Sequence, residues 1–367
     1  MQQADIIVIG GGIAGFSIAA KLAVDASVIL LEAETQPGYH ATGRSAAYFA
    51  PAYGNQSVRQ LTAAGDAFYR HPPNGFSEAR LLRPRPAVFV ATTAQQESVQ
   101  AMKSENAALE TIDEAHLRNL VPILRPGGIT TGLLDVTGGD LDVDAILQGF
   151  IRQFRNRQGN VVTSHRVRQI DYQDGWVIDA EYAAPIVVNA AGAWADNIAE
   201  LAGLAGLGLV PKRRTAVLVD PPVEHDITDW PLVIDIDEEF YFKPDAGKLL
   251  ISPADETPSD ACDAAPDEID IAIAIDRVQA IANLDVRRIG HRWAGLRTFA
   301  PDKSFVAGFD PRAAGFFWLA GQGGYGVQSA PGLSELAWHL ITGSELSGPY
   351  AQTLGCISQI DPARLIQ

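Results

Sequence analysis

Cysteine and basic charge are what this 367-residue chain has least of. Only Cys262 and Cys356 occur, far apart and without metal or redox spacing, so no disulfide framework is expected and a reducing compartment is the default. Lys and Arg number 28 against 44 Asp and Glu, a net charge of −16. That balance speaks against a nucleic-acid surface or a patch for anionic membranes. No run of eighteen apolar residues occurs, so no membrane span is expected. The first apolar strand is under way by Asp5, which leaves no room for a secretory leader; the cytoplasm is the expected location. His40, His165, His291 and His339 lack ligand spacing with one another or with carboxylates, so no zinc or iron site is expected. No internal repeat or low-complexity tract is present.

What the chain does have is apolar content (47%) and length for a globular protein of two or three domains. It opens with Ile6-Ile7-Val8-Ile9-Gly10-Gly11-Gly12-Ile13-Ala14-Gly15, followed by Ser27-Val28-Ile29-Leu30-Leu31-Glu32. This reads as strand, glycine turn, helix, strand and acidic residue. Gly10 permits the sharp turn, Gly12 lets backbone approach a pyrophosphate, and Gly15 lets the helix pack on the strand. The helix start, with Ile13 and Ala14, presents free N–H groups to phosphate. Glu32 stands where a carboxylate accepts from both ribose hydroxyls. A dinucleotide is the expected ligand.

The loop Pro37 to Ala47 is rich in small residues and hydroxyls; Gly43, Arg44 and Ser45 offer a cation and donors near phosphate or flavin. An ordinary surface loop with a helix cap at Thr42 or Ser45 accounts for it equally well. Tyr48, Phe49, Pro51 and Tyr53 suit either core or pocket wall. Helices are expected around Gln95–Leu109, Val143–Arg157, Ile269–Leu284 and from about Val327 to Ile341. Strands are expected at Ala87–Val90, Arg166–Arg168, Gly175–Asp179 and Glu239–Pro244. Ile186 to Ala191 reads as a buried parallel strand whose small-residue end, Ala190 to Ala195, lets a ligand lie against it. Near the far end, Phe316 to Val327 repeats strand, glycine turn and helix, so both ends of the chain are expected to touch the cofactor.

Five stretches occur in order: the opening fingerprint, Thr42-Gly43-Arg44-Ser45-Ala46-Ala47, Val188-Asn189-Ala190-Ala191-Gly192-Ala193-Trp194, Gly295-Leu296-Arg297 and Gly321-Gln322-Gly323-Gly324-Tyr325-Gly326. Together they resemble the FAD-dependent D-amino-acid oxidase and glycine oxidase superfamily across nearly the whole chain. Pro37 to His40, Ala52 to Gly54, Pro211 to Arg214, Tyr241 to Gly247 and Trp293 to Arg297 are most similar to its D-arginine dehydrogenases.

The resemblance implies an α/β fold: a Rossmann-like FAD domain of the glutathione-reductase type, interleaved with a mixed-sheet α+β substrate domain. The expected segments are 1–80, 141–210 and 290–367 for the first, and 81–140 and 211–289 for the second. FAD, held non-covalently because no cysteine lies between Asp302 and Gly321, would meet Gly10, Gly12, Ile13, Ala14, Gly15, Glu32, Ala33, Gly43, Arg44, Ser45, Ala46, Val167, Ala191, Gly192 and Trp194. It would also meet Gly323, Gly324, Tyr325, Gly326 and Val327. Arg214 and Arg297 would hold a substrate carboxylate, with Tyr53 and Tyr241 closing the site and Gly324 facing the amine. The implied partner is a small D-amino acid; the electron acceptor, oxygen or a respiratory carrier, is left open.

Two positions depart from the D-arginine dehydrogenases. Ala87 stands where they carry a glutamate for a cationic side chain, and Tyr48 replaces a loop histidine. A long cationic substrate is then expected to lack its counter-charge, a strong penalty on burial. Three other readings stay open: a 2-hydroxy-acid dehydrogenase of the same fold, a nicotinamide-dependent dehydrogenase, and a non-catalytic protein keeping FAD as scaffold.

Overall fold

Ile6–Ile9 and Val28–Leu31 are short, wholly apolar runs, the composition of strands covered on both faces. In the computed structural model, which describes residues 1–366, they are fully buried and pair in parallel, Val8 opposite Leu30. The helix Ile13–Leu22 makes the crossover between them. These strands sit inside a six-stranded sheet in the order Asn160–Val162, Val28–Leu31, Ile6–Ile9, Ile186–Asn189, Phe316–Ala320, Val306–Phe309. All pairings are parallel except the last. Ile186–Asn189 therefore joins the two ends of the chain, with Ile6–Ile9 on one side and Phe316–Ala320 on the other.

The helices Ile13–Leu22, Val143–Asn156 and Gly326–Thr342 cover one face, burying Phe16, Phe154, Phe317 and Leu336 completely. The other face packs Phe316 and Trp318 on Trp176, which belongs to a small four-stranded sheet.

A second, mixed sheet runs Thr257–Pro258, Val210–Val219, Lys248–Ser252, Tyr241–Asp245, Leu232–Asp235, Ala87–Ala91, Thr131–Asp135, Glu110–Asp113. Ile289–Phe299 pairs with Val210–Val219 as well. Side chains alternate across it, as strand geometry requires. Val88, Val217, Val233 and Phe242 face a core under the helix Glu268–Ile281. Ala87, Ala216, Ile234 and Tyr241 face the other way, where Tyr48 and Tyr53 pack. The strands Tyr48–Phe49, Gly139–Leu141 and Leu82–Pro84 form a small sheet of their own.

Several expectations need correction. Ile289–Phe299 hydrogen-bonds along its length to Val210–Val219, so residues 290–299 lie in the mixed sheet, and the chain returns to the parallel sheet only at Val306. Arg166–Arg168 is not a strand. The backbone N–H groups of Arg168 and Gln169 donate to Asp179 Oδ1, at 2.9 and 2.8 Å, instead of to a ladder. The helix expected over Gln95–Leu109 spans only Gln96–Glu105. Helices at Gln56–Ala64 and Glu114–Leu120 were not foreseen; their side chains cap them, Asn55 accepting from Val58 N–H and Asp113 from His116 N–H.

Candidate active site

Gly10 adopts φ +107°, and a Cβ there would lie 2.4 Å from the carbonyl oxygen of Ala190. The first turn thus grazes the end of the neighbouring parallel strand. A Cβ at Gly15 would lie 1.8 Å from Gly10 O, so the crossover helix reaches its seat only because that side chain is missing. Glu32 is buried; its Oε2 accepts from Gly11 N–H at 2.5 Å and its Oε1 from Glu34 N–H at 2.7 Å. Each oxygen keeps a further lone pair for a ribose hydroxyl. Thr42 does cap a helix, but a distant one: its Oγ1 accepts from Ile13 N–H at 3.0 Å. Gly12, the residue preceding that helix, has no side chain to do so.

From this turn a single cavity of about 460 Å³ runs to the mixed sheet, within the range of small-ligand sites. Its wall includes Gly10, Gly12, Ile13, Ala14, Glu32, Ala33, Arg44, Ser45, Ala46, Val167, Ala191, Gly192, Trp194, Gly323, Gly324, Gly326 and Val327. Gly15, Gly43 and Tyr325 lie outside it. Gly43 N–H closes the loop on Gly38 O at 2.8 Å, and the Tyr325 ring packs edge-on against Tyr53, centroids 5.3 Å apart. Arg44 borders the cavity but its guanidinium is engaged, donating to Ala264 O at 2.9 Å, to Ala294 O at 3.0 Å and to Asp263.

Among the described residues, the buried side-chain atoms Thr298 Oγ1 and Gln322 Nε2 find no hydrogen-bond partner, and both residues line the cavity. Buried polar groups are rarely left so; a ligand carrying polar ring atoms would satisfy them. Glycine turn, Glu32, small-residue strand end and orphaned donors together fit a flavin dinucleotide. Gly10 to Ala14, Glu32 and the segment Gly323 to Val327 would hold it.

At the mixed-sheet end the cavity wall gathers Arg214, Tyr241, Arg297, Tyr53 and Tyr48. Strand geometry puts the first three together. Arg297 is paired with Lys212, one step along the same face from Arg214, and Tyr241 follows on that face two strands away. Arg214 Nε donates to Asp255 O at 2.8 Å. Among the described residues Arg297 has neither an ion pair nor a side-chain hydrogen bond. A Cβ at Gly324 would come within 2.8 Å of Arg297 Cζ, so glycine there lets backbone lie against the guanidinium.

Burial, and then the Arg297 cation beside it, hold the Arg214 pKa below the ordinary guanidinium value. Burial works the same way on Arg297, but Tyr241, Tyr53, Tyr325 and Glu238 outweigh it and the net shift is upward. Burial also pushes the Tyr53 and Tyr48 phenols well above their usual range, so both remain protonated donors at neutral pH.

Tyr53 donates to Glu238 at 2.5 Å, and Tyr48 to Arg85 O at 2.6 Å. Ala87 is not in the cavity wall. It is 2% exposed and pairs with Leu232, which lines the cavity together with Ile234. Nor does the site lack a carboxylate, because Glu238 borders it.

Sequence reasoning missed Glu238, Lys243, Thr298 and Gln322. Strand alternation from Tyr241 could have found Lys243, which is buried against Asp140 at 2.9 Å and Asp245 at 3.3 Å. Glu238 sits in a turn at φ +62°, and no pattern marks it. His40 pairs with Glu34 at 3.1 Å and packs on Trp194. Among the described residues no group of three or more His, Cys, Asp or Glu side chains is placed to hold a metal ion, and no helix is long and apolar enough to cross a membrane.

A parallel sheet with a dinucleotide turn, opening onto an arginine- and tyrosine-lined pocket of a mixed sheet, defines a two-part dinucleotide-dependent oxidoreductase. The chain belongs to the FAD-dependent oxidoreductase (DAO) family, whose match spans residues 5–340. FAD-dependent oxidoreductase domain-containing protein 1 of Xenopus laevis is 23% identical over 93% of this chain and 79% of its own length. Glycine oxidase from Geobacillus kaustophilus superposes with a TM-score of 0.83 at 19% identity, covering 96% of this chain and 99% of that one. L-α-glycerophosphate oxidase from Mycoplasma pneumoniae, solved with FAD bound, has a TM-score of 0.83 at 16% identity over 96% of this chain and 98% of its own. Family membership makes FAD the cofactor and sets the nicotinamide reading aside.

Proposed function

We propose that this enzyme oxidises the Cα–N bond of a D-amino acid to an imine, which water hydrolyses to a 2-oxo acid and ammonia. The observation that carries this is Arg297, a cation on the cavity wall without an ion-pair partner among the described residues, next to a second, buried arginine. Arg214 is paired with Glu256 at 3.6 Å, but Arg297 beside it has no such partner among the described residues, so the two guanidiniums keep positive charge for an anion, and the planar fork matches a carboxylate. Tyr241 and Tyr53 add neutral donors that fix its orientation. FAD, when bound, supplies the acceptor for the hydride leaving Cα. The chain's own contribution is orientation and exclusion of water; the ammonium proton passes to solvent, and no side chain is assigned as base. The FAD is held non-covalently, and boiling is expected to release all of the yellow colour; colour retained on the denatured chain refutes this.

Tyr48, Leu232 and Ile234 bound the space left for the substrate side chain, and Glu238 is already engaged by Tyr53. Small or apolar D-amino acids are therefore the preferred substrates, with D-Arg and D-Lys poor ones. The test is anaerobic bleaching of the flavin by a panel of D-amino acids and 2-hydroxy acids, with ammonia assayed in the product. D-Arg giving the highest kcat/KM overturns the selectivity. Bleaching only by 2-hydroxy acids, without ammonia, overturns the reaction class in favour of a second reading. That reading has one observation behind it: two arginines suit a dicarboxylate 2-hydroxy acid almost as well. Admitting air to the bleached enzyme separates oxygen from a respiratory carrier as acceptor. We place the enzyme in the cytoplasm on its cysteine content; fractionation tests this.

A further inference from the structure

We propose that Arg44, Asp263 and Tyr39 form a latch that retains the cofactor, tying the strap around Asp263 to the loop on which Tyr39 and Arg44 border the cavity. The strap, residues 253–267, runs from the strand Lys248–Ser252 to the helix Glu268–Ile281. At its start Asp255 accepts from Thr215 N–H at 2.7 Å and Glu256 pairs with Lys212 at 2.8 Å; at its end Asp267 caps the helix. Between those anchors the strap is irregular apart from Thr257–Pro258. Cys262 and Ala264 on the strap, and Tyr39 and Arg44 on the loop, line the same cavity.

Arg44 closes the seam. It pairs with Asp263 and donates to Ala264 O at 2.9 Å and to Ala294 O at 3.0 Å. Tyr39 Oη donates to Asp263 at 3.2 Å, and the Arg44 guanidinium lies 5.2 Å from the Tyr39 ring centroid. The Arg44 carbonyl is fixed in turn by Trp293 Nε1 at 3.1 Å. A planar fork meeting a carboxylate and two carbonyls is a directional clamp, which a lysine could not reproduce. The cation read from the sequence as a phosphate or flavin contact is thus committed to the strap. These are positioning residues, and the inference holds whichever substrate the enzyme takes.

The experiment is cofactor release from the holoenzyme after dilution, followed by the rise in flavin fluorescence. Asp263 is exposed enough that Asp263→Ala will fold, and release is expected to quicken about fivefold, the upper end for a partly exposed ion pair. Arg44→Ala, which also frees two carbonyls, is expected to quicken it about thirtyfold, and Arg44→Lys by an intermediate factor. Salt at 1 M should speed release from the wild type and not from Asp263→Ala, since only the former has the pair to screen. With FAD in excess, the Tm of Asp263→Ala should fall by no more than the fivefold weaker cofactor binding accounts for. Release rates of Asp263→Ala and wild type that coincide at low salt overturn the proposal, as does equal acceleration of both by salt. A Tm loss in excess FAD with unchanged release would make the contact merely structural and overturn it too.

Discussion

At the Gly10 end of the cavity the ligand-facing surface is mostly backbone: a turn stripped of side chains, a helix start and the small-residue end of a strand. Its residues come in short runs, and the buried carboxylate of Glu32 completes it. At the Arg297 end the surface is side chains. Arg214, Tyr241 and Arg297 come from three strands of one sheet, with Tyr53 delivered by a loop much earlier in the chain. The first end is specified by local spacing, because consecutive residues make the turn. The second exists only after antiparallel pairing has set which residues share a face. One end therefore has no room for a side chain at Gly10 or Gly15, whereas the other tolerates shape changes but not the loss of a functional group.

That contrast can be broken or sharpened by substitution. The largest effect is expected from Gly15→Val, whose Cβ would sit 1.8 Å from Gly10 O. The expected outcome is no flavin-loaded protein, checked by the ratio of flavin to protein absorbance, and a yellow variant would break the contrast. Arg297→Ala should keep its full flavin content while kcat/KM for the preferred D-amino acid falls about a thousandfold, the cost of removing one partner of a desolvated charge pair. Loss of flavin in that variant would show the two ends to be one cooperative unit. Arg214→Lys should cost about tenfold, mainly in KM, because a point charge replaces the fork. Tyr241→Phe should cost about fivefold, the worth of one neutral hydrogen bond. Least of all, Tyr53→Phe should leave the pH profile of kcat/KM unmoved up to the alkaline limb. Burial raises the Tyr53 pKa, so in the wild type the phenol is already protonated throughout that range and its removal deletes no titration there.

The same contrast explains how far the sequence could be read. Gly10 to Gly15, Glu32 and the Phe316–Val327 turn were legible because each is a run with its own geometry. The parallel strand Ile186–Asn189 was legible from an unbroken apolar stretch. Residues 290–299 went to the wrong sheet because their partner, Val210–Val219, is some eighty residues upstream, and no local pattern encodes an antiparallel pairing at that distance. Ala87 was read through a resemblance as a pocket residue. The register Ala87 to Leu232 puts the larger side chain in the wall instead, and register is not visible in composition. Glu238 reached the cavity through a turn of positive φ, a conformation that a glutamate does not advertise.

The position of Ile186–Asn189 between the first strand and Phe316–Ala320 also has a consequence for synthesis. The glycine fingerprint leaves the ribosome well before its neighbours: the strand that Gly10 leans on follows more than 170 residues later, and the strand beyond it about 300 residues later. During translation the fingerprint must wait as a βαβ fragment with two unpaired edges, one awaiting Asn160–Val162 and the other Ile186–Asn189, the sort of edge that seeks wrong partners. Completion of the FAD domain is therefore a late, long-range event. A ribosome stalled before Phe316 would carry a chain that has the Gly10 turn and Glu32 but lacks both the strand Phe316–Ala320 and the segment Gly323 to Val327 that would meet the cofactor.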